Sequence, residues 1–245
     1  MTTMTKDLII VPVFNEENHV HALVMRIRDA YPEGDLLVID DGSTDRTREE
    51  IEKAGVSWLC HPFNLGYGVA VQTGYKYALG KDYEYLLQID GDGQHDPAYI
   101  PIMFREIKTT AYDIVIGSRF LMPGSYRMEA LKMAAIKLFR AIIKFTTGQL
   151  ISDPTSGYQV MNRRVFRYFT ADDFPTDYPD ANIIIALHNQ GFKISEVPVL
   201  MVANSEGRSM HRGFFNIIYY FFRVFLAIFI TTITKKKKRI EGEEI

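Results

Sequence analysis

An open, mostly parallel α/β sheet with helices on both faces is the fold class the sequence predicts, and three observations predict it. Short apolar runs alternate with stretches of helical spacing across the first 117 residues. Each of the first four apolar runs ends in a polar cluster rich in acids or glycine. A chain of 245 residues, 47% hydrophobic and 24% charged, is long enough to bury the core of one large α/β domain.

The elements follow in order. Leu8 to Val13 is an apolar strand that ends in a Pro-containing turn, and Glu16 to Ala30 then carries Val20, Leu23, Val24 and Ile27 at helical spacing. The same alternation repeats as Leu36 to Ile39 with a helix from Thr44, Val56 to Leu59 with a helix from Tyr67, and Tyr85 to Ile89 with a helix from Pro97. A fifth strand fits Asp113 to Ile116. Ligands of such sheets sit at the carboxyl ends of the strands. All four polar clusters therefore fall on one rim.

Charge and cysteine usage narrow the class. A net charge of -2 gives no global basic field, so nucleic acid is not expected as a partner. Cys60 is the only cysteine and cannot close an internal disulfide, and the start MTTMTKD lacks the charged and apolar regions of a signal peptide. The expectation is a cytosolic protein, one catalytic domain over 1–210 followed by a tail over 211–245.

Two of the rim clusters carry chemistry. Asp90 and Asp92 flank a glycine directly after an apolar strand, so a sharp turn brings two carboxylates to one locus. Hard oxygen ligands of this kind suit Mg²⁺ or Mn²⁺ bridging a diphosphate, and Gln94 either adds a neutral oxygen ligand or contacts a sugar. Asp40 and Asp41 precede Gly42-Ser43-Thr44-Asp45, where Ser43 or Thr44 is expected to cap the next helix. Two adjacent carboxylates exceed what a cap needs, and one can accept from a base imino group or a ribose hydroxyl. Between these, Asn64-Leu65-Gly66-Tyr67-Gly68 reads as a glycine loop, with Gly66 and Gly68 letting backbone approach a ligand.

Taken together, VPVFNEE (Val11 to Glu17), DDGSTDRT (Asp40 to Thr47), NLGYGVAVQTGYKYA (Asn64 to Ala78), QIDGDGQHDP (Gln88 to Pro97), GSRF (Gly117 to Phe120) and SDPTSGYQVMNR (Ser152 to Arg163) resemble the family-two glycosyltransferases of the GT-A fold. The resemblance covers roughly residues 7 to 203 and is nearest to the polyprenyl-phosphate branch, which includes dolichol-phosphate mannose synthase and undecaprenyl-phosphate glycosyltransferases. It implies that Pro12, Glu16 and Asp41 hold the nucleoside of a nucleotide-diphosphate sugar, with Asp40 nearby. It also implies that Asp90, Asp92 and Gln94 hold metal and diphosphate. Ser156 lies in the segment that the family places near the acceptor, Arg119 and Arg163 are basic groups for an acceptor phosphate, and Ser209 and Arg212 precede the apolar tail where they can close over the donor phosphates.

Two departures stand out. Gln159 follows Ser156-Gly157-Tyr158 where the branch commonly has arginine, and the chain carries a single apolar stretch where many relatives have several membrane helices. That stretch, Phe214 to Ile233, is long enough to span a bilayer and is followed by Lys235 to Lys238 and Arg239. Arg223 near its middle costs about 2.5–3.5 kcal/mol in a span. The positive-inside rule also turns a single span the wrong way for a cytosolic donor. An in-plane helix at the cytoplasmic membrane face, with the basic run on anionic headgroups, meets both constraints; a core or oligomer helix, or a small membrane-protein partner, is the alternative.

A polyprenyl phosphate is already anionic and attacks the anomeric carbon without a base, inverting its configuration. A saccharide hydroxyl in cell-wall or surface-polysaccharide synthesis needs a base, for which Asp177 and Asp180 are the candidates, unless they only complement a helix dipole. A dehydrogenase is disfavoured because the first strand leads to PVFNEE and not to G-x-G-x-x-G. A noncatalytic membrane-docking protein has no need of the paired acids.

Overall fold

The computed structural model describes residues 6–122, 130–172, 174 and 181–201. Strands β1 (Asp7–Val13), β2 (Asp35–Asp40), β3 (Ser57–Cys60), β4 (Tyr85–Gln88), β5 (Ile114–Ser118), β6 (Gln159–Asn162) and β7 (Ile194–Pro198) form one sheet in the order β3-β2-β1-β4-β6-β5-β7. The helices are α1 (Val20–Ala30), α2 (Thr47–Ala54), α3 (Tyr67–Gly80), α4 (Ile100–Thr109), α5 (Ala130–Thr147), α6 (Arg163–Phe169) and α7 (Ala181–Asn189), with a 3₁₀ turn at Pro97–Tyr99. The five strands expected from the sequence are all present.

Burial of β1 on both faces sets the layering. Leu8 and Ile10 face a cluster that includes Val71 and Tyr75 of α3, Phe139 and Ile143 of α5, Phe166 of α6 and Leu187 of α7. Their neighbours Ile9, Val11 and Val13 face Leu23 and Ile27 of α1, Ile51 of α2 and Phe104 of α4. Side chains alternate across a strand, so a continuous apolar run belongs to a sheet covered on both sides. Each such side chain taken from water contributes about 1.5–3 kcal/mol.

Direction within the sheet decides where the site lies. β1, β2, β3 and β4 run parallel, and Val13, Asp40 and Cys60 stand in register at one edge. β6 runs antiparallel to both β4 and β5. It therefore enters the sheet at the carboxyl ends of β4 and β5, through Ser156-Gly157-Tyr158, and leaves at their amino ends. This strand was not foreseen: QVMN has four residues and is polar at both ends.

The reversal corrects one expectation. Arg163 follows β6 and so lies at the edge of the sheet away from the acidic rim. Its guanidinium donates to the carbonyls of Tyr83 (3.0 Å) and Leu79 (3.2 Å) and pairs with Asp82 at 3.1 Å. It ties α3 to α6 and is no part of an acceptor site. Arg163→Gln is expected to lower unfolding free energy by about 1–2 kcal/mol in a urea titration, with no change in affinity for any ligand of the opposite rim; lost ligand affinity at unchanged stability would contradict this placement.

Candidate active site

The β1 and β2 ends form the first wall. Asp40 is fully buried and accepts from Ser43 N at 2.9 Å, Arg48 Nε at 2.7 Å and Cys60 Sγ at 3.5 Å. Burial opposes its charge, but these donors outweigh burial and hold its carboxyl below the usual range. Asp40 thus braces the turn. Asp41 is also buried. Its Oδ1 accepts from Leu65 N (2.9 Å) and lies 2.7 Å from His61 Nδ1, while Oδ2 accepts from Gly66 N at 2.9 Å. The second aspartate therefore holds the glycine loop, and three of about four acceptor directions of its carboxylate are used.

Directly after them Gly42 has φ 73°, and a Cβ there would lie 2.4 Å from the carbonyl carbon of Phe63, so only glycine fits. Asn15 is left-handed too, at φ 57°. Its N–H donates to Ser43 Oγ (2.9 Å) and its Oδ1 accepts from Thr44 N (2.8 Å). The expected cap is corrected here: Ser43 and Thr44 tie β2's turn to β1's, and α2 starts later, with Asp45 Oδ1 accepting from Thr47 N at 2.9 Å. Glu16, whose carboxylate is 2.9 Å from His19 Nδ1, closes this wall through its N–H to Thr47 Oγ1 at 2.8 Å. Pro12 pairs with Ile39 in the sheet.

The β4 end supplies the acidic pair. A Cβ on Gly91 would lie 2.8 Å from the Pro12 carbonyl and 2.5 Å from Val13 Cγ1, so the turn packs directly on β1. On its other side, a Cβ on Gly157 would meet Asp90 Oδ2 at 2.5 Å. Asp90 thus lies on the bare backbone of the segment leading into β6. Tyr67 Oη donates to Asp90 Oδ1 at 2.7 Å, and buried His95 places Nε2 3.5 Å from Oδ2. Burial opposes charge on Asp90, and His95 and Tyr67 overcome it, holding the carboxyl below the usual range. Asp92 is the converse: burial, then the neighbouring Asp90 charge, pushes its carboxyl up to about 6. Gln94 N donates to Asp92 Oδ1 at 3.0 Å, closing the turn.

Two carboxylates in mutual repulsion at the end of a strand fit a hard divalent cation. Among the described residues no group of three or more His, Cys, Asp or Glu forms a ready-made cage. Such a pair leaves coordination positions for a ligand's phosphate oxygens, the usual way Mg²⁺ is held.

The β5 end forms the third wall. Arg119 is buried and forks onto Asp153, with Nε to Oδ2 and Nη2 to Oδ1 both at 2.6 Å, and Nη2 also donates to Thr155 Oγ1 at 2.8 Å. Glu196 of β7 accepts from Ser152 N and Asp153 N at 2.6 and 2.8 Å, fixing that loop. Ser156 Oγ donates to the Gly117 carbonyl at 2.6 Å, and Gln159, at the position of the branch arginine, donates to the Ser156 carbonyl at 2.7 Å. Arg119 and Ser156 thus share the rim with the acidic pair. Asp177, Asp180, Ser209, Arg212 and the apolar stretch lie outside the described residues.

The sequence reading missed Tyr67, Gln88, His95, Asp153 and Glu196. Gln88 carried a signal, as the polar member of the strand YLLQ; Tyr67, Asp153 and Glu196 became meaningful only through distant partners, and His95 only through the turn that brings it back to Asp90.

The Asp92 shift has a measurable consequence. The folded state holds this proton more tightly than the unfolded chain, so the metal-free protein loses stability as pH rises from about 4 to about 6, and the deficit persists above that. Asp92→Asn removes it and keeps an acceptor for Gln94 N. In chelator at pH 7.5 the variant is expected to melt about 2–4 °C higher, equivalent to about 1 kcal/mol after allowance for partial exposure, and the gain should vanish near pH 4. An equal or lower melting temperature at pH 7.5 would contradict the upward shift.

Comparison with known proteins gives the family and the fold. Residues 8–170 match the family model described as glycosyl transferase family 2. The polyprenol monophosphomannose synthase of Mycolicibacterium smegmatis is 28% identical over 217 residues, 85% of this chain and 82% of that protein. The undecaprenyl-phosphate mannosyltransferase of Micrococcus luteus is 29% identical over 221 residues, 84% and 87% of the two chains. Among solved structures, glucosyl-3-phosphoglycerate synthase from Mycobacterium tuberculosis, in complex with Mn²⁺, uridine diphosphate and glucosyl-3-phosphoglycerate, superposes with a TM-score of 0.69 at 18% identity, covering 94% of this chain and 80% of that one. That likeness establishes the shared GT-A fold. With the family model covering most of its sheet and its acidic rim, this chain belongs to glycosyl transferase family 2.

Proposed function

We propose that this glycosyltransferase moves a sugar from a nucleotide-diphosphate donor to a polyprenyl phosphate at the cytoplasmic membrane face, with Mg²⁺ or Mn²⁺ as cofactor. The observation that carries the reading is the Asp90 and Asp92 pair packed on the end of β1, beside the wall built by Asp40 and Asp41. The nucleoside lies against Pro12, Glu16 and Asp41, where a base imino or ribose hydroxyl donor takes the remaining acceptor direction of Asp41. Gly66 and Gly68 bring backbone close to the donor. Asp90, Asp92 and Gln94 hold the cation, which when bound stabilises charge on the departing diphosphate.

The acceptor side follows from Arg119, whose fork onto Asp153 fixes the plane of the guanidinium on the same rim. It draws in the acceptor phosphate, with Ser156 beside it. A phosphate oxygen needs no base, so the residues contribute position and electrostatics, and in-line attack inverts the anomeric carbon. The relatives' names favour the lipid phosphate.

Helix α5 supports work at a membrane. Its sequence has no acidic residue, and its outward face carries Ala134, Leu138, Ala141 and Phe145 at helical spacing with Lys137 and Lys144 alongside. Phe145 is 91% exposed and Leu150, just beyond the helix, 74%. Among the described residues no helix is long and apolar enough to cross a membrane. An apolar face flanked by lysines suits the interface of an anionic leaflet. The catalytic part is assigned to 1–210 and a membrane-associating tail to 211–245.

The test is transfer from radiolabelled nucleotide sugars to polyprenyl phosphate in anionic liposomes, with label counted in the organic phase. Transfer is expected with Mg²⁺ or Mn²⁺ and is lost in excess chelator and in Asp90→Ala. Leu138→Glu with Phe145→Glu should lower liposome binding about tenfold or more while leaving cation-dependent donor hydrolysis intact. Label on a saccharide hydroxyl, with none on any prenyl phosphate, would refute the lipid acceptor and make Asp177 and Asp180 the bases to test.

A further inference from the structure

Behind the acidic pair lies a row of hydrogen bonds whose polarity is fixed along its whole length. Gln88, buried at the end of β4, donates from Nε2 to the Gly157 carbonyl at 3.1 Å. A carbonyl only accepts, so this contact fixes which end of the amide is nitrogen. The amide oxygen then accepts from the hydroxyl of Tyr75, buried in α3. The same Nε2 lies 2.7 Å from Tyr67 Oη, which must accept there. The one proton of Tyr67 is thereby directed to Asp90 Oδ1 at 2.7 Å.

Tyr67 also has a fixed origin. It opens α3 immediately after Leu65 and Gly66, whose N–H groups bind the two oxygens of Asp41. The loop that grips the donor-side aspartate thus ends in the residue that grips the cation-side aspartate.

We infer that Tyr67 is a positioning residue: oriented by Gln88 and anchored through Asp41, its hydroxyl holds the Asp90 carboxylate in the rotamer that presents it to the cation. The inference rests on the cation reading of Asp90 and Asp92. Groups that hydrogen-bond a carboxylate ligand set its direction, and their loss typically weakens metal binding about 10- to 100-fold. Tyr67→Phe removes the hydroxyl and keeps the ring, so the Asp90 carboxylate loses this hydrogen bond while the packing of the side chain is retained.

The experiment is Mn²⁺ binding to the full chain without nucleotide, followed by electron paramagnetic resonance of free Mn²⁺. Tyr67→Phe is expected to weaken binding about tenfold or more at an unchanged melting temperature. Gln88→Met, which removes the group that orients the hydroxyl, should weaken it by a smaller factor. Tyr83→Phe is the control: it deletes a similar tyrosine-to-aspartate bond, to Asp35 at 2.8 Å at the other edge of the sheet, and should bind Mn²⁺ as the parent does. Equal affinity in Tyr67→Phe and the parent would overturn the inference, as would an equal loss in Tyr83→Phe. A parent that binds no Mn²⁺ even after uridine diphosphate is added would instead overturn the cation reading itself.

Discussion

Repulsion between the Asp90 and Asp92 carboxylates is the constraint around which the rim is organised. Two acids separated by a single glycine at a strand end resist joint ionisation, and the protein answers asymmetrically. Asp90 receives Tyr67 and approaches His95, and stays charged; Asp92, with a single backbone donor among the described residues, is raised to about 6 by its burial first and by the Asp90 charge second. A site of this kind is less stable empty than filled. A divalent cation held by both carboxylates would remove the repulsion and couple ligand binding to fold stability.

The neighbouring structure makes that asymmetry possible. Gly91 lets the turn press on Pro12 and Val13, and Gly157 leaves space for the Asp90 carboxylate, so β1, β4 and the entry to β6 converge at one point. Antiparallel β6 is the key topological choice. It brings the segment that leads into it, Ser156 to Tyr158, to the carboxyl rim, whereas a parallel strand would have been entered from the other edge. The same reversal carries Arg163 away. Aspartates that read alike as DD divide their work: Asp40 seals a turn through Ser43 and Arg48, whereas Asp41 anchors the loop Asn64 to Gly68.

How much was legible in the sequence follows from the range of each interaction. The β1 to β4 core and its helices were readable because continuous apolar runs and the Val20, Leu23, Val24, Ile27 spacing are local signals. The acidic rim was readable because strand ends carry it. β6 was not: four residues with polar ends give no periodicity. Ser43 looked like a cap because caps are local, yet its partner is Asn15, 28 residues away. Gln88 could have been noticed as a polar residue in an apolar strand, but its bonds to Gly157 and Tyr75 depend on tertiary placement. The pairing of Arg119 with Asp153 was equally hidden, since 34 residues separate them.

The account reduces to a claim about one position in space: a divalent cation between Asp90 and Asp92, facing a diphosphate held against the β1 and β2 ends. Anomalous difference density from crystals grown with Mn²⁺ and a nucleoside diphosphate tests it directly. The predicted result is a single manganese peak within coordination distance of both carboxylates and of the diphosphate oxygens. A nucleotide bound on the rim with manganese absent from that pair, or a peak on other residues, would contradict the account.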